Sequence, residues 1–196
     1  ELVSGTVSVY DSSEAKTGTI TATGDDTINI QSGNATFKDI TVYGAVDSAD
    51  GIFILGGNVT VENCTVSSGK AGINVDNTNK NAVVNVKGGT FAEYTDTKDT
   101  KGRNCAIELR NNASNITLSG DITFENNVII SKAASTVAIK DAITAGEGYT
   151  VTFTAGSNIQ DYVTATVDYK ADSSEEPENP GGTDPTDPTV NEVTSV

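Results

Sequence analysis

The segment Asn58–Val66, with the sequence NVTVENCTV, alternates apolar and polar residues, breaks step once and then alternates again. Val59 and Val61 face one way, and Cys64 and Val66 return to the same side after the break. Successive side chains of a strand point to opposite faces, so the pattern predicts two short strands that are joined by a bend and share one core.

The same phrase recurs along the chain. Its first inward residues are Ala35, Val59, Val84, Ile116 and Val137, at spacings of 24, 25, 32 and 21. The further copies are Ala35–Val42, Val84–Phe91, Ile116–Phe124 and Val137–Ala145, and in a fainter first copy Val7 and Val9 precede Ile20 and Ala22. Asp39, Asn63 and Asp141 fall at the bends of their copies, and Asn and Asp tolerate left-handed backbone at such corners. A third apolar pair follows in each unit: Ile28/Ile30, Ile52/Ile54, Ile73/Val75, Ile107/Leu109, a pair within 128–130 and a pair within 149–153. Three short strands in units of ~20–30 residues predict a solenoid of about six stacked coils with one apolar column inside.

This phrase resembles the right-handed parallel β-helix of the pectate-lyase-like superfamily. That superfamily includes polysaccharide lyases, glycoside hydrolases, phage tailspikes and many bacterial surface proteins. The resemblance covers roughly Val7 to Phe153 and implies an all-β, right-handed parallel β-helix. It is a likeness of fold pattern, and no catalytic motif accompanies it.

The charge and composition of the chain make some classes of function less favourable. The 27 acidic and 12 basic residues give a net charge of −15, which disfavours binding to nucleic acid or anionic lipid. No run of 18 or more apolar residues is present, so we expect no membrane insertion. The family resemblance and the Thr/Asn/Gly-rich composition lead us to expect an extracellular or cell-surface location.

The chain divides into two regions. Residues 1–170 carry the repeats and are interpreted as the β-helix domain, in which Tyr162 to Tyr169 is one more strand that covers the last open edge. Residues 171–196 hold all four prolines and few apolar residues, which predicts an acidic Pro/Thr-rich linker or tail. Such linkers resemble those between modules of secreted carbohydrate-active proteins, so we expect the chain to be part of a longer multidomain protein.

The chain contains two cysteines, Cys64 and Cys105. Cys64 aligns with the inward position of Ile40, which predicts a buried thiol. Cys105 lies one coil later, on a different side of the coil. The two positions do not obviously meet within the ~7 Å between Cα atoms that a disulfide needs, so buried thiols are the favoured interpretation.

The alignment also predicts an outward column of threonines on the second strand of every coil: Thr21, Thr41, Thr65, Thr90, Thr123 and Thr144. Exposed strands favour threonine, so the column need not be functional. Its functional interpretation is a flat ligand-binding face around Thr41, Thr65 and Thr90. The inserted loop 92–104 would add Tyr94 to stack on a sugar ring and Lys98, Lys101 and Arg103 to meet an anionic group; a tolerated insertion at a corner is the simpler alternative.

Carboxylates near the third strands form a second candidate site. Asp47, Asp50, Asp76 and Glu108 are candidate metal ligands, with Arg110 close by, and calcium is the one cofactor that the sequence leaves open. The chain has no histidine, so a general base would have to be one of these carboxylates or a basic side chain. Solvated loop acids explain the same positions more simply.

Three functions remain open. The first is a non-catalytic surface module, adhesin-like or in contact with glycans or other host or cell-surface macromolecules. The second is a polysaccharide-active lyase or hydrolase of the β-helix superfamily; since no catalytic motif is present, we expect no enzyme activity. The third is a structural subunit of a filament or surface layer, suggested only by a weak strand pattern at Val190, Val193 and Val196.

Overall fold

The computed structural model of the chain describes residues 5–22, 24–44, 49–79, 81–92 and 103–173. These residues form an all-β parallel solenoid of about five turns, which confirms the predicted fold class. The strands are β1 (Thr6–Tyr10), β2 (Thr19–Ala22), β3 (Ile28–Ile30), β4 (Asn34–Lys38), β5 (Thr41–Gly44), β6 (Asp50–Ile54), β7 (Asn58–Ser68), β8 (Ala71–Asp76), β9 (Val83–Phe91), β10 (Cys105–Arg110), β11 (Ile116–Phe124), β12 (Val128–Lys132), β13 (Ile143–Ala145), β14 (Tyr149–Ala155) and β15 (Tyr162–Ala171). A short 3-10 helix spans Asn77–Asn79, and the α-helix α1 spans Ile139–Ala142.

The strands stack into two sheets. Sheet 1 runs β1-β4-β7-β9-β11-β13, and β5 pairs with both β2 and β7. Sheet 2 runs β14-β15-β12-β10-β8-β6-β3. Each turn therefore places a bent strand pair in sheet 1 and its third strand in sheet 2.

The core lies between the two sheets and is built from residues in register. Val61 pairs with Val86, and Leu118 pairs with the same Val86 on the other side. All three are at most 1% exposed, so the predicted apolar stack is confirmed. Third-strand pairs also stack as predicted: Ile28 pairs with Ile52, which pairs with Ile73.

Left-handed backbone residues make the bend inside the sheet 1 strands. Asp39 and Asn63 have φ values of 56° and 50°, as the sequence predicted for bend residues. Asp141 is different, because it lies in α1 and not at an equivalent bend.

The prediction of a sixth coil from Val137 onward was partly wrong. Val137 does not begin a strand; instead Ile143 pairs with Ile116, and the residues before it form α1. Ile139 and Ala142 lie three positions apart, the spacing of one helical face, and are 8% and 1% exposed. The apolar residues that had suggested a strand are thus buried by the helical turn, which packs against the end of the core.

The predicted third strand of that coil was also wrong in direction. β14 does not stack in parallel on β12; it pairs antiparallel with β15, and β15 pairs antiparallel with β12. The predicted strand at Tyr162 to Tyr169 is confirmed, and it covers the edge of the last parallel strand of sheet 2. Aromatic rings close this end of the core: Phe124 stacks on Phe91 at 5.1 Å and meets Tyr169 edge-on at 6.4 Å.

Both cysteines are free and buried, as the sequence predicted. Cys64 lies opposite Gly89 in sheet 1, and Cys105 lies opposite Ala71 in sheet 2. Burial raises the pKa of both thiols, so both remain protonated at neutral pH.

Candidate functional site

Threonines occupy one complete row across the outer face of sheet 1. Thr41 pairs with Thr65 and Thr65 with Thr90, in register. The row extends to Thr19 at one end and Thr123 at the other. We call these five residues the threonine column.

Two members differ from the prediction. Thr21 lies opposite Tyr43 and not opposite Thr41. The Thr41 amide donates to the Gly18 carbonyl, just as the Thr65 amide donates to the Ile40 carbonyl one turn later. Gly18 therefore has the position in its turn that Ile40 has in the next. The register differs from the predicted one by two residues, so inward side chains still face inward and Thr19 takes the place predicted for Thr21. Thr144 pairs with Thr117 and belongs to the row before the bend.

A second polar row lies across the bend. It consists of Ser8, Thr36, Thr60, Asn85, Thr117 and Thr144. At the bend, Lys38 binds Glu62 at 2.5 Å, and Lys87 follows in register. The two rows thus present hydroxyl and amide groups over five turns, while the charges of this face lie at the bend between them. Uncharged polar rows of this kind suit a polar, uncharged ligand.

Sequence reasoning did not single out Tyr10 and Tyr43 on this face. Tyr10 is 65% exposed and lies opposite Lys38, and Tyr43 lies two positions after Thr41. Their outward positions in the repeat were the signal that would have found them. An exposed ring beside hydroxyl groups is a surface on which a sugar can stack.

Of the four residues predicted to bind from the inserted loop, the described part of the chain contains Arg103. Tyr94, Lys98 and Lys101, and the candidate metal ligand Asp47, lie outside the described residues. Arg103 is 7% exposed and lies on the sheet 2 side, with its Nη1 atom 3.7 Å from Glu108 Oε1. It also donates a 3.2 Å hydrogen bond to the Tyr162 hydroxyl. The predicted binding role of these residues stays a prediction.

The second candidate site is a cluster of charged side chains on the outer side of sheet 2. Lys70 Nζ lies 2.6 Å from Asp50 Oδ2 and 3.9 Å from Glu108 Oε2. Arg110 Nε donates to Glu108 Oε1 at 2.5 Å. We call Asp50, Lys70, Arg103, Glu108 and Arg110 the ion cluster.

The ion cluster is buried. The side chains of Asp50 and Glu108 are 1% and 0% exposed, and that of Lys70 is 8% exposed. Buried charges are retained only when they are paired and hydrogen-bonded, and here each carboxylate has a basic partner. The sequence therefore selected the right neighbourhood for Asp50, Glu108 and Arg110, but it missed Lys70, which lies in a turn outside the repeat phrase.

The fold of the chain matches the predicted family resemblance at the level of a parallel solenoid. Comparison of the chain with protein-family models, curated proteins and solved structures gave no match. Within the described ranges, no helix has the length and apolar character needed to cross a membrane.

Burial controls the electrostatics of the ion cluster. It raises the pKa of Asp50 from 3.8 to about 7, although the Lys70 ammonium acts in the opposite direction. The neutral acid form of Asp50 is therefore well populated near neutral pH. Asn74 Nδ2 donates to Asp50 Oδ2 at 2.8 Å, so this oxygen has two donors.

Three acceptor oxygens in this region have no hydrogen bond. Among the residues that the structure describes, no donor bonds Asp50 Oδ1, Asn74 Oδ1 or Glu108 Oε2. Buried acceptors are rarely left unsatisfied, and those that remain often mark a chemical role or a bound water. They raise the question of what the cluster does.

The geometry gives no clear metal centre. In the described part of the chain, no group of three histidine, cysteine or carboxylate residues is arranged to hold a metal ion. Asp76 lies at the far end of β8 from Asp50, where Thr78 and the Asn111 amide donate to its Oδ1 at 2.5 and 2.6 Å. The candidate calcium ligands Asp50, Asp76 and Glu108 are thus held by donors of the chain itself.

Proposed function

We propose that the chain is a non-catalytic, extracellular surface module that contacts glycans through the outer face of sheet 1. The observation that carries this proposal is the in-register threonine column. Hydroxyl groups repeat at ~4.8 Å along such a column, which provides many equivalent donors and acceptors for a polysaccharide.

Other features support the same proposal. Tyr10 offers an exposed ring on this face, and the rows have few charges in a protein of net charge −15. The repeat pattern supports membership of the pectate-lyase-like superfamily, and the Pro/Thr-rich segment 171–196 supports a place in a longer surface protein of adhesin-like type.

Removing hydroxyl groups from the threonine column tests the binding face. We expect the triple substitution Thr41→Val, Thr65→Val, Thr90→Val to weaken glycan binding by about tenfold or more, because three hydrogen bonds are worth ~0.5–1.5 kcal/mol each. Valine keeps the β-branched shape, so the strands should be preserved. Binding is measured on a glycan array and on whole cells.

The matched control is the triple substitution Thr36→Val, Thr60→Val, Thr117→Val in the row across the bend. Full binding by the control with weakened binding by the first variant places the ligand on the threonine column. Equal binding by all three proteins removes that column from consideration, and no binding by the wild type contradicts the proposal in favour of a spacer role.

The proposal also predicts that the chain cleaves no polysaccharide, with or without calcium. The reason is that Asp50 and Glu108 are buried and engaged by Lys70 and Arg110 instead of lying open to a substrate. A panel of polysaccharides is assayed for new reducing ends and unsaturated products. Product release that Glu108→Gln abolishes would show that the chain is an enzyme.

A further inference from the structure

Lys70 and Asp50 are held against each other from several sides. The Lys70 amide donates to the Ala49 carbonyl at 3.2 Å, and the Lys70 carbonyl accepts from the Cys105 amide at 2.9 Å. Asp50 lies in β6 opposite Ala71, the residue after Lys70. The Asp50 amide also donates to Asp26 Oδ1 at 2.8 Å. Neither backbone can move without breaking sheet contacts, so the 2.6 Å side-chain approach is built into adjacent turns.

We propose that Lys70 and Asp50 condense into an intramolecular amide bond, between Lys70 Nζ and Asp50 Cγ, with Glu108 transferring the protons. The product is a covalent link between consecutive turns of the solenoid. It is independent of the proposed glycan contact and needs no ligand.

The arrangement supplies each group that the reaction requires. Lys70 must lose a proton to become a nucleophile, and Glu108 Oε2, which lies 3.9 Å from Lys70 Nζ and carries no hydrogen bond from the described residues, is placed to accept it. Arg110 holds the other oxygen of Glu108 and so fixes its orientation. Asn74 donates to Asp50 Oδ2, the oxygen on which negative charge develops during attack.

The atoms and charges balance without another reactant. One proton first passes from the Lys70 ammonium through Glu108 to Asp50 Oδ1, which leaves a neutral amine and a neutral carboxyl group. The amine attacks Cγ, forms the C–N bond and places negative charge on Oδ2. One of the two protons now on nitrogen then passes through Glu108 to the Oδ1 hydroxyl, the C–O bond to Oδ1 breaks, and this oxygen leaves as water while the nitrogen keeps its last proton. An ammonium and a carboxylate thus become an amide and one water molecule, with no oxidation or reduction, and Glu108 ends in its starting form.

Burial provides the driving force. Two charges that are costly to keep out of water are replaced by one neutral amide, and the released water leaves a site that excludes bulk solvent. The raised pKa of Asp50 agrees with a populated neutral acid form, the form that can lose water. Lys70 Nζ also lies 2.6 Å from Asp50 Oδ2, so the fold holds the amine against the carboxyl group that it attacks.

The chain contains a matched control pair. Lys140 Nζ lies 2.6 Å from Asp141 Oδ1, the same distance as in the buried pair, but these side chains are 72% and 58% exposed. Their charges are solvated, and neither side chain is paired with Asp50, Asp76 or Glu108, the buried carboxylates of the described residues, so we expect no bond there. A short distance between a lysine and an aspartate therefore does not by itself predict the amide bond. The bond is expected where the pair is also buried and has a carboxylate such as Glu108 beside it.

Intact-mass spectrometry of the full chain tests the proposal. We expect the wild type to be lighter than its sequence by one water molecule, and to remain so after denaturation. Cleavage after Glu62, the only glutamate between residues 50 and 70, should leave the two resulting fragments covalently joined. Lys70→Arg should restore the full mass and separate the fragments, while Lys140→Arg should leave the deficit unchanged.

Glu108→Gln tests the proton-transfer role. Loss of a general acid-base group lowers rates by ~10²–10⁴-fold, so this variant should condense at least about a hundredfold more slowly. Circular dichroism checks that it has folded. A wild-type chain of full mass after prolonged incubation overturns the proposal, as does a deficit that persists in Lys70→Arg; condensation of folded Glu108→Gln at the wild-type rate overturns the role of Glu108.

Discussion

Replacing Leu118 with alanine is expected to lower the free energy of unfolding by about 2–5 kcal/mol, the usual cost of truncating a large buried side chain. Leu118 is 0% exposed and contacts the stack that contains Val86 and Val61. Neighbouring turns are fixed by their own backbone ladders, so they cannot collapse into the cavity. Denaturant unfolding followed by circular dichroism measures the loss.

Thr117→Ala is the matched control, because Thr117 is the next residue on the same strand and faces outward. Its cost should stay below about 1 kcal/mol, the range of strand propensities. A cost below about half a kcal/mol for Leu118→Ala would mean that the strand is displaced by one residue, since such a shift moves every inward side chain to solvent.

Replacing Gly57 with alanine is expected to destabilise the protein by roughly 2–6 kcal/mol, because strain and overpacking each cost about 1–3 kcal/mol. Gly57 has a φ of 90°, which L-residues rarely adopt. A Cβ atom there would lie 2.3 Å from the carbonyl oxygen of Gly33 in the previous turn. Thermal and denaturant unfolding of the variant measure the effect.

Two other glycines separate these causes. Gly148 has a φ of 79° but no atom within 4 Å of an added Cβ, so Gly148→Ala reports the backbone strain alone. Gly24 has neither restriction, and Gly24→Ala should be neutral or slightly stabilising, by up to ~1 kcal/mol. Equal costs for Gly57→Ala and Gly148→Ala would contradict the close approach of the two turns.

The inward positions of the regular turns could be predicted from the sequence alone. Phe37, Val61 and Val86 stack because one face must be apolar in every turn, and a period of two identifies that face without knowledge of the neighbours. The same reasoning found the bend residues Asp39 and Asn63, whose side chains suit left-handed backbone.

The end of the solenoid could not be predicted in this way. Val137, Ile139 and Ile143 fit a strand pattern nearly as well as earlier copies do. The helical turn instead packs Ile139 and Ala142 against the core, and a local pattern does not specify that packing. The direction of β14 likewise depends on its long-range pairing with β15, which a local pattern does not specify.

The ion cluster was predictable only in part. Glu108 lies between the inward residues Ile107 and Leu109, where the repeat predicts exposure to solvent, and its burial, like that of Asp50, depends on tertiary packing. Lys70 lies in a turn with no periodic pattern, so only the three-dimensional fold brings it to both carboxylates.

The reversal of strand direction at β15 determines where the repeat number of this protein can change during evolution. A whole turn duplicated between β4 and β11 would meet parallel edges on both sides and could reuse every existing register. A turn added after β12 would have to displace β15, which pairs with it antiparallel. Relatives of different length are therefore expected to gain or lose units of about 24 residues before β12, while the antiparallel pair β14–β15 is kept unchanged.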